Sequence, residues 1–347
     1  MKFKACSHFR LQTPIYFAPA APYTAIHNDE RKTMRTLPRL VLICLLTVYL
    51  VWGSTYLAIH FALESFPPFL LMGTRFLVAG TLLYLFLCLR GTPQPSARQW
   101  RDGAVVGVLL LGGGMGLTAV AQQYVSSGMT AVFIASAPLM FALWAGLFGD
   151  WPGGRDWIGI LAGFGGAALL ASGAEFAAQP IGIVALVGAV SCWTFGSVLS
   201  QKKLTVAPGP MGFASEMLAG GVFLVVLGLL RGEVLAGPFE TRALLAWMYL
   251  ITAGSLVAFS AYMYLLSKVS PALASSYAYV NPVIAVLLGV WLANEKVVAH
   301  ELVAMAVILA SVILLTTSRR ATRPLEKAGA TASEQRECVG ERSIEKA

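Results

Sequence analysis

Residues 275–282 read SSYAYVNP and residues 131–138 read AVFIASAP. Both stretches are uncharged, both sit inside longer apolar runs (271–293 and 127–148), and each carries a proline near the middle of its run. In a helix the proline ring removes one hydrogen bond and clashes with the carbonyl of residue i−4. Within a bilayer such a residue persists where the freed backbone lines a cavity or finds another partner. The pair therefore predicts a duplicated membrane fold, with Pro138 and Pro282 in two equivalent helices that either kink around a cavity or carry a plain structural bend.

The sequence on either side supports this reading. Of 347 residues, 57% are hydrophobic and 12% charged, about half the charged share of a globular domain. Apolar runs recur at 38–60, 68–89, 101–122, 127–148, 156–174, 181–200, 211–230, 243–267, 271–293 and 299–317. Crossing a ~30 Å hydrocarbon core takes about 20 helical residues, and lipid tolerates only helices or closed barrels. Helix punctuation fills the breaks, as in Phe66-Pro67-Pro68, Gly91-Thr92-Pro93 and Ala207-Pro208-Gly209-Pro210. The expected fold is an all-α integral membrane protein of ten transmembrane helices.

The net charge of +8 does not read as nucleic-acid binding, because Lys and Arg lie mainly in the two tails and in short loops. Arg90, Arg98, Arg101, Arg155, Lys202, Lys203 and Lys268 fall on one side, against Arg231, Arg242 and Lys296 on the other. The positive-inside rule then places both termini in the cytoplasm. At an offset of 141, Trp52 falls on Trp193, Arg75 on Glu216, and Ala79-Gly80 on Gly220-Gly221. The chain thus divides into two repeats of five spans, 38–174 and 181–318. Five is odd, so the repeats are inverted, an arrangement that in many transporters surrounds a site near the midplane. Residues 1–36 and 319–347 are expected to be disordered cytoplasmic tails. Met34, heading MRTLPRL before the first span, is a candidate start that would leave the preceding 33 residues as an over-extension.

Several classes of chemistry leave no trace. The five cysteines follow neither disulfide nor metal spacing. Gly112-Gly113-Gly114-Met115-Gly116 lies inside a span and lacks the Lys-Ser or Lys-Thr of a nucleotide loop. No Gly-x-Ser-x-Gly or His-Glu-x-x-His occurs. Neither an enzyme nor a resident cofactor or metal is expected, and the loops are too short for a receptor domain. The expected partners are a small-molecule substrate and the lipid bilayer.

Trp52-Gly53-Ser54-Thr55-Tyr56, Arg75-Phe76-Leu77, Ser127-Gly128-Met129-Thr130-Ala131 and the run PALASSYAYVNPV at 271–283 together resemble the drug/metabolite transporter superfamily, with two EamA-type domains. The last run, with Glu216-Met217-Leu218-Ala219, is similar to the YedA-type exporters of that superfamily. The resemblance covers residues 38–318. It implies an inner-membrane secondary transporter that exports small metabolites or drugs by alternating access around a central cavity. A passive channel or facilitator is the alternative. One departure stands out: span 4 ends Phe148-Gly149-Asp150-Trp151 where its copy ends Trp291-Leu292-Ala293-Asn294-Glu295. Any role of Glu295 is therefore expected to be absent from the first half.

The candidate cavity residues are Trp52, Tyr56, Arg75, Pro138, Trp193, Glu216, Tyr277, Asn281 and Pro282. Arg75 is the only basic residue in the apolar interior of a span; it either serves the transport path or snorkels to the outer interface. Glu216 is its acidic match, able to take a proton or a cationic substrate or to act as a structural partner. Inversion sets Arg75 about 10 Å below the outer face and Glu216 about 10 Å above the inner one, so no direct bridge is expected. Asn281, one turn after Tyr277, adds a polar group to an apolar pocket. Trp52, Trp193 and Tyr56, with Tyr262, Tyr264 and Tyr279, form an aromatic wall suited to amphiphilic or cationic compounds, or else pack and anchor. Glycines at Gly103/Gly107, Gly112/Gly116 and Gly159/Gly163 are expected to allow close helix packing.

Overall fold

The computed structural model describes residues 39–173, 179–269, 271–274 and 276–315. The expected tails at 1–36 and 319–347 lie outside the described residues. The helices are α1 (Arg39–Ala62), α2 (Pro68–Leu89), α3 (Ala97–Ala121), α4 (Ser127–Leu147), α5 (Gly154–Ala171), α6 (Pro180–Lys202), α7 (Pro210–Leu230), α8 (Thr241–Lys268), α9 (Tyr277–Ala293) and α10 (Ala299–Leu315). A short turn of helix, Pro271–Ala274, leads into α9. Seven of these helices, α1 to α4 and α6 to α8, are long and apolar enough to cross a membrane, and α9 and α10 are shorter apolar helices.

Local chemistry sets the ends. Proline opens α2, α6 and α7, where its missing N–H costs nothing. A capping box of Ser96 and Gln99 opens α3. Leu42, Ile43, Leu46 and Leu50 of α1, with Leu82, Leu85 and Phe86 of α2, are exposed on the outside of the bundle. A water-soluble protein does not present apolar surface on this scale, whereas a bilayer solvates it.

At the centre, α2 and α7 cross in direct backbone contact. Gly73 lies against Gly221 and Val225, and Gly80 lies against Ala214 and Met217; rising numbers on one helix meet falling numbers on the other, so the two run antiparallel. They are the second helices of the two halves. The fifth helices behave alike, Gly159 meeting Ser311 and Leu315 while Gly166 meets Ile308. Equivalent helices that pair antiparallel require the halves to be inverted. The remaining packing is reciprocal: α1 crosses α8 and α9 of the other half, and α6 crosses α3 and α4. The small residues expected at helix crossings serve that purpose, since a Cβ on Gly107 would run into the backbone of Glu216 and one on Gly163 into Leu139.

Two features escape the periodicity of the sequence. The third helix of each half contains a π-helical segment, Val108–Met115 in α3 and Leu250–Val257 in α8. In α4 the helix breaks at Ala135 and Ser136, just ahead of Pro138, whereas Pro282 sits within a continuous α9.

Candidate functional site

A cavity of about 230 Å³ lies between the halves, walled by residues of α1 to α4 and α6 to α9. Its wall on α1 is Trp52 to Ile59, on α6 Ala189 to Ser197 and on α9 Tyr277 to Pro282, so it spans the middle of the bundle. Eight of the nine candidates line it: Trp52, Tyr56, Arg75, Pro138, Trp193, Tyr277, Asn281 and Pro282. The residues four before the prolines, Ile134 and Ala278, whose carbonyls the prolines leave without their helical donor, line it too.

The aromatic wall is ordered around Trp52. Its indole N–H donates to the Gly254 carbonyl (3.2 Å), and its ring lies 5.1 Å from Tyr262 and 4.8 Å from Tyr277, distances at which tilted aromatic pairs attract. Tyr264 and Tyr279 do not line the cavity. Tyr264 packs against the same cluster as Trp52, Tyr262 and Tyr277, and Tyr279 packs in a separate one with Leu139 and Ile160. Trp193 enters the cavity from the opposite half, over Gly114 of the first π segment. The amide of Asn281 reaches the carbonyls of Tyr277 and Tyr49 (3.2 Å each).

Arg75 does not snorkel. It is 4% exposed, donates through Nε to Ser255 Oγ (3.1 Å) and makes a longer contact from Nη1 to Met72 Sδ (3.7 Å). Ser255 in turn donates to the Leu250 carbonyl (3.0 Å), five residues back, an acceptor that the π segment makes reachable. Among the described residues Arg75 takes part in no ion pair.

Glu216 is the candidate that falls outside the central cavity. It is 1% exposed and borders a separate small void with Val206, Ala207, Gly209, Gly212, Phe213 and Phe259. Phe213 and Phe259 are stacked, with centroids 3.6 Å apart, and border both spaces. This stacked pair separates the carboxyl group from the main chamber.

Two carboxylates outside the candidate cavity set, Glu295, noted above as a departure between the repeats, and Glu233, bind the halves together. Glu295, just past α9, accepts from the N–H groups of Ser127 (2.8 Å) and Gly128 (3.0 Å) at the start of α4. Glu233, just past α7, accepts from Phe69 (3.2 Å) and Leu70 (2.9 Å) at the start of α2. A helix N-terminus favours negative charge, and each carboxylate meets two of its otherwise unpaired donors. The backbone repeats as well. Gly232 (φ 76°) and Asn294 (φ 54°) turn left-handed just before each glutamate. The glutamate N–H then bonds back to Gly228 (2.9 Å) or Gly289 (3.0 Å), and a Cβ on either glycine would press on the carboxylate. The sequence signal is the pair GLLRGE at 228–233 and GVWLANE at 289–295.

Comparison with known proteins fits the duplicated architecture. The EamA-like transporter family matches this sequence twice, over residues 39–172 and 180–317. The chain belongs to that family. It is 44% identical over 277 residues to the uncharacterized inner membrane transporter YedA of Escherichia coli K12, covering 79% of this chain and 90% of that protein. It is 24% identical over 297 residues to the uncharacterized transporter YvbV of Bacillus subtilis 168, covering 84% and 96%. A solved crystal structure superposes with a TM-score of 0.57 at 21% identity, over 81% of this chain and 98% of that one, a likeness of fold alone. The chain is a multi-pass membrane transporter of the EamA-like family.

Proposed function

We propose that this EamA-like protein is a secondary-active exporter of the bacterial inner membrane, carrying small molecules by alternating access through the central cavity. The observation that carries this reading is the cavity's construction: its walls come from both inverted halves, and α2 and α7, the second helices of the two halves, both border it and pair antiparallel with each other. Rocking one half against the other opens one end as it closes the other. The loop charges favour cytoplasmic termini, and with that orientation the end carrying Glu233 and Glu295 is the external one. Glu216, behind Phe213 and Phe259, is proposed as the group whose protonation couples to transport, because a carboxyl group inside the membrane titrates only near a polar path.

The test uses single cysteines at Ala135 and Tyr277, both of which line the cavity, in a background freed of native cysteines. A hydrophilic thiol reagent is applied from one face at a time, with and without a thiol cross-link between cysteines at Glu64 and Arg242 that holds the Glu295 end shut. The expected result is reaction from either face in the free protein and from the opposite face alone in the cross-linked one. Unchanged reaction from both faces in the cross-linked protein means a channel, and no reaction from either face removes the cavity from the path.

A further inference from the structure

The 30 residues around the central cavity contain one charged side chain, Arg75; no Asp, Glu, Lys or His lines it among the described residues. Arg75 is 4% exposed, yet two of its guanidinium nitrogens are only lightly used. Nε is anchored on Ser255 and Nη1 makes a long contact with sulfur, while Nη2 makes no hydrogen bond among the described residues. Nη2 lies 3.3 Å from where a Cβ on residue 254 would stand. Trp52 bonds the carbonyl of that same Gly254, so the guanidinium and the cluster of Trp52, Tyr262 and Tyr277 flank one glycine.

The aliphatic hydroxyls of the Thr and Ser residues on α1, α3 and α6 in the wall are turned onto their own helices. The hydroxyls of Thr55, Thr118, Thr194 and Ser197 donate to Trp52, Gly114, Val190 and Trp193 carbonyls. Besides the phenol and indole groups of Tyr56, Trp193, Tyr262 and Tyr277, the donors left to a ligand are those of Arg75, the one charged donor in the wall among the described residues. A buried guanidinium with free N–H groups matches a carboxylate in charge and in its forked geometry, and an anion entering an apolar chamber needs that compensation for its lost hydration. A cation in the same chamber meets a like charge and no counter-charge, which argues against the cationic compounds that the aromatic wall alone suggests.

We propose that the cavity takes a small organic carboxylate with an apolar or aromatic body, its carboxylate held by Arg75 and its body against Trp52, Tyr262 and Tyr277. The space of about 230 Å³ equals roughly eight waters of liquid volume, on the scale of a single-ring acid. The proposal rests on the cavity being the transport site. It assigns Arg75 as the specificity-determining residue, and it disfavours substrates whose amine would need an acidic partner.

The probe is 3-phenylpropionate, titrated into the full-length detergent-purified chain and followed by tryptophan fluorescence and thermal shift. 3-Phenylpropanamide, phenethylammonium, phenylalanine and acetate are run beside it. The acid is expected to bind at least tenfold more tightly than each of the others. Arg75→Gln is expected to abolish that preference, with the amide unaffected, and Arg75→Lys to retain part of it. Equal or tighter binding of the amide or the ammonium, an unchanged preference in Arg75→Gln, or no binding of the acid overturns the proposal. Should Arg75→Gln not fold, the comparison of probes on the natural sequence and on Arg75→Lys decides. Failure here leaves the alternating-access reading standing, because the cysteine test of that reading uses no substrate.

Discussion

The two ends of the bundle have the same backbone and different chemistry. At one end, the residue that follows the left-handed turn after α7 and after α9 is a glutamate, and each glutamate reaches across to cap a helix of the other half. At the opposite end the same turns follow α2 and α4, with Gly91 at φ 73° and Gly149 at φ 98°. The N–H groups of Thr92 and Asp150 bond back to Leu87 and Ala145 (3.0 and 3.1 Å). Thr92 carries no charge, and the shorter Asp150 pairs with Lys202 (2.6 Å), with side chains 61% and 36% exposed respectively. Loop ties are found at both ends, Arg242 with Glu64 at the first and Asp102 with the N–H of Thr205 at the second. What differs is the pair of half-buried carboxylates, each capping a helix N-terminus of the other half. An inverted repeat supplies two interchangeable ends; on the proposed alternating-access reading, the two glutamates hold one of them shut.

That difference can be broken in graded steps. The largest effect is expected from Glu295→Ala, which strips a charged acceptor from two N–H groups. At about 1.5–3 kcal/mol for a hydrogen bond to a charged group, the closed end should weaken by roughly 3 kcal/mol or more. A cysteine at Thr118, near that end of the cavity, should then react with an impermeant thiol reagent from that face on the order of a hundredfold faster. Gly289→Ala should come next, at about half that free energy, since its Cβ lands on the Glu295 carboxylate and dislodges one of two bonds. Its partner experiment, Gly146→Ala, places a Cβ 2.7 Å from the Trp151 ring. That ring is 61% exposed and free to swing away, so accessibility should stay as it was. Glu233→Gln keeps an acceptor and loses its charge, at a cost of about 1 kcal/mol, read as a modest rise in the same reactivity. The smallest effect belongs to Lys202→Gln at the other end, where an exposed pair contributes roughly 0–1 kcal/mol, and no change in the reactivity of Thr118→Cys is expected.

The spans were legible because the bilayer imposes one length and one polarity on every helix, so the expected 68–89 coincides with α2 and the other boundaries fall within a few residues. Inversion followed from counting five spans per half. Trp52, Trp193 and the two prolines were legible as cavity residues because the repeat relates them and an intramembrane proline needs a reason. Glu216 was misplaced: its repeat partner Arg75 faces the chamber, but Phe213 and Phe259 screen the carboxyl group from it, and no one-dimensional alignment shows a screening side chain. The π segments were not legible, because a π turn changes which residues face inward without changing composition. The glutamate caps were hidden for another reason. Glu295 lies 168 residues from Ser127, and its role depends on a contact across the halves. The sequence comparison set Glu295 against Trp151, whereas the backbone turn aligns it with Asp150.

In the proposed alternating-access cycle the two ends open in opposition about the cavity, with the Glu295 end the one held closed. Spin labels on exposed residues of opposite halves measure this directly, one pair at Gln123 and Lys296 near the Glu295 caps and one at Arg90 and Lys268 at the other end. On introducing Glu295→Gln, the account predicts a longer distance distribution for the first pair and a shorter one for the second. Lengthening of both pairs together, or a first pair unmoved by the loss of the carboxylate, would contradict it.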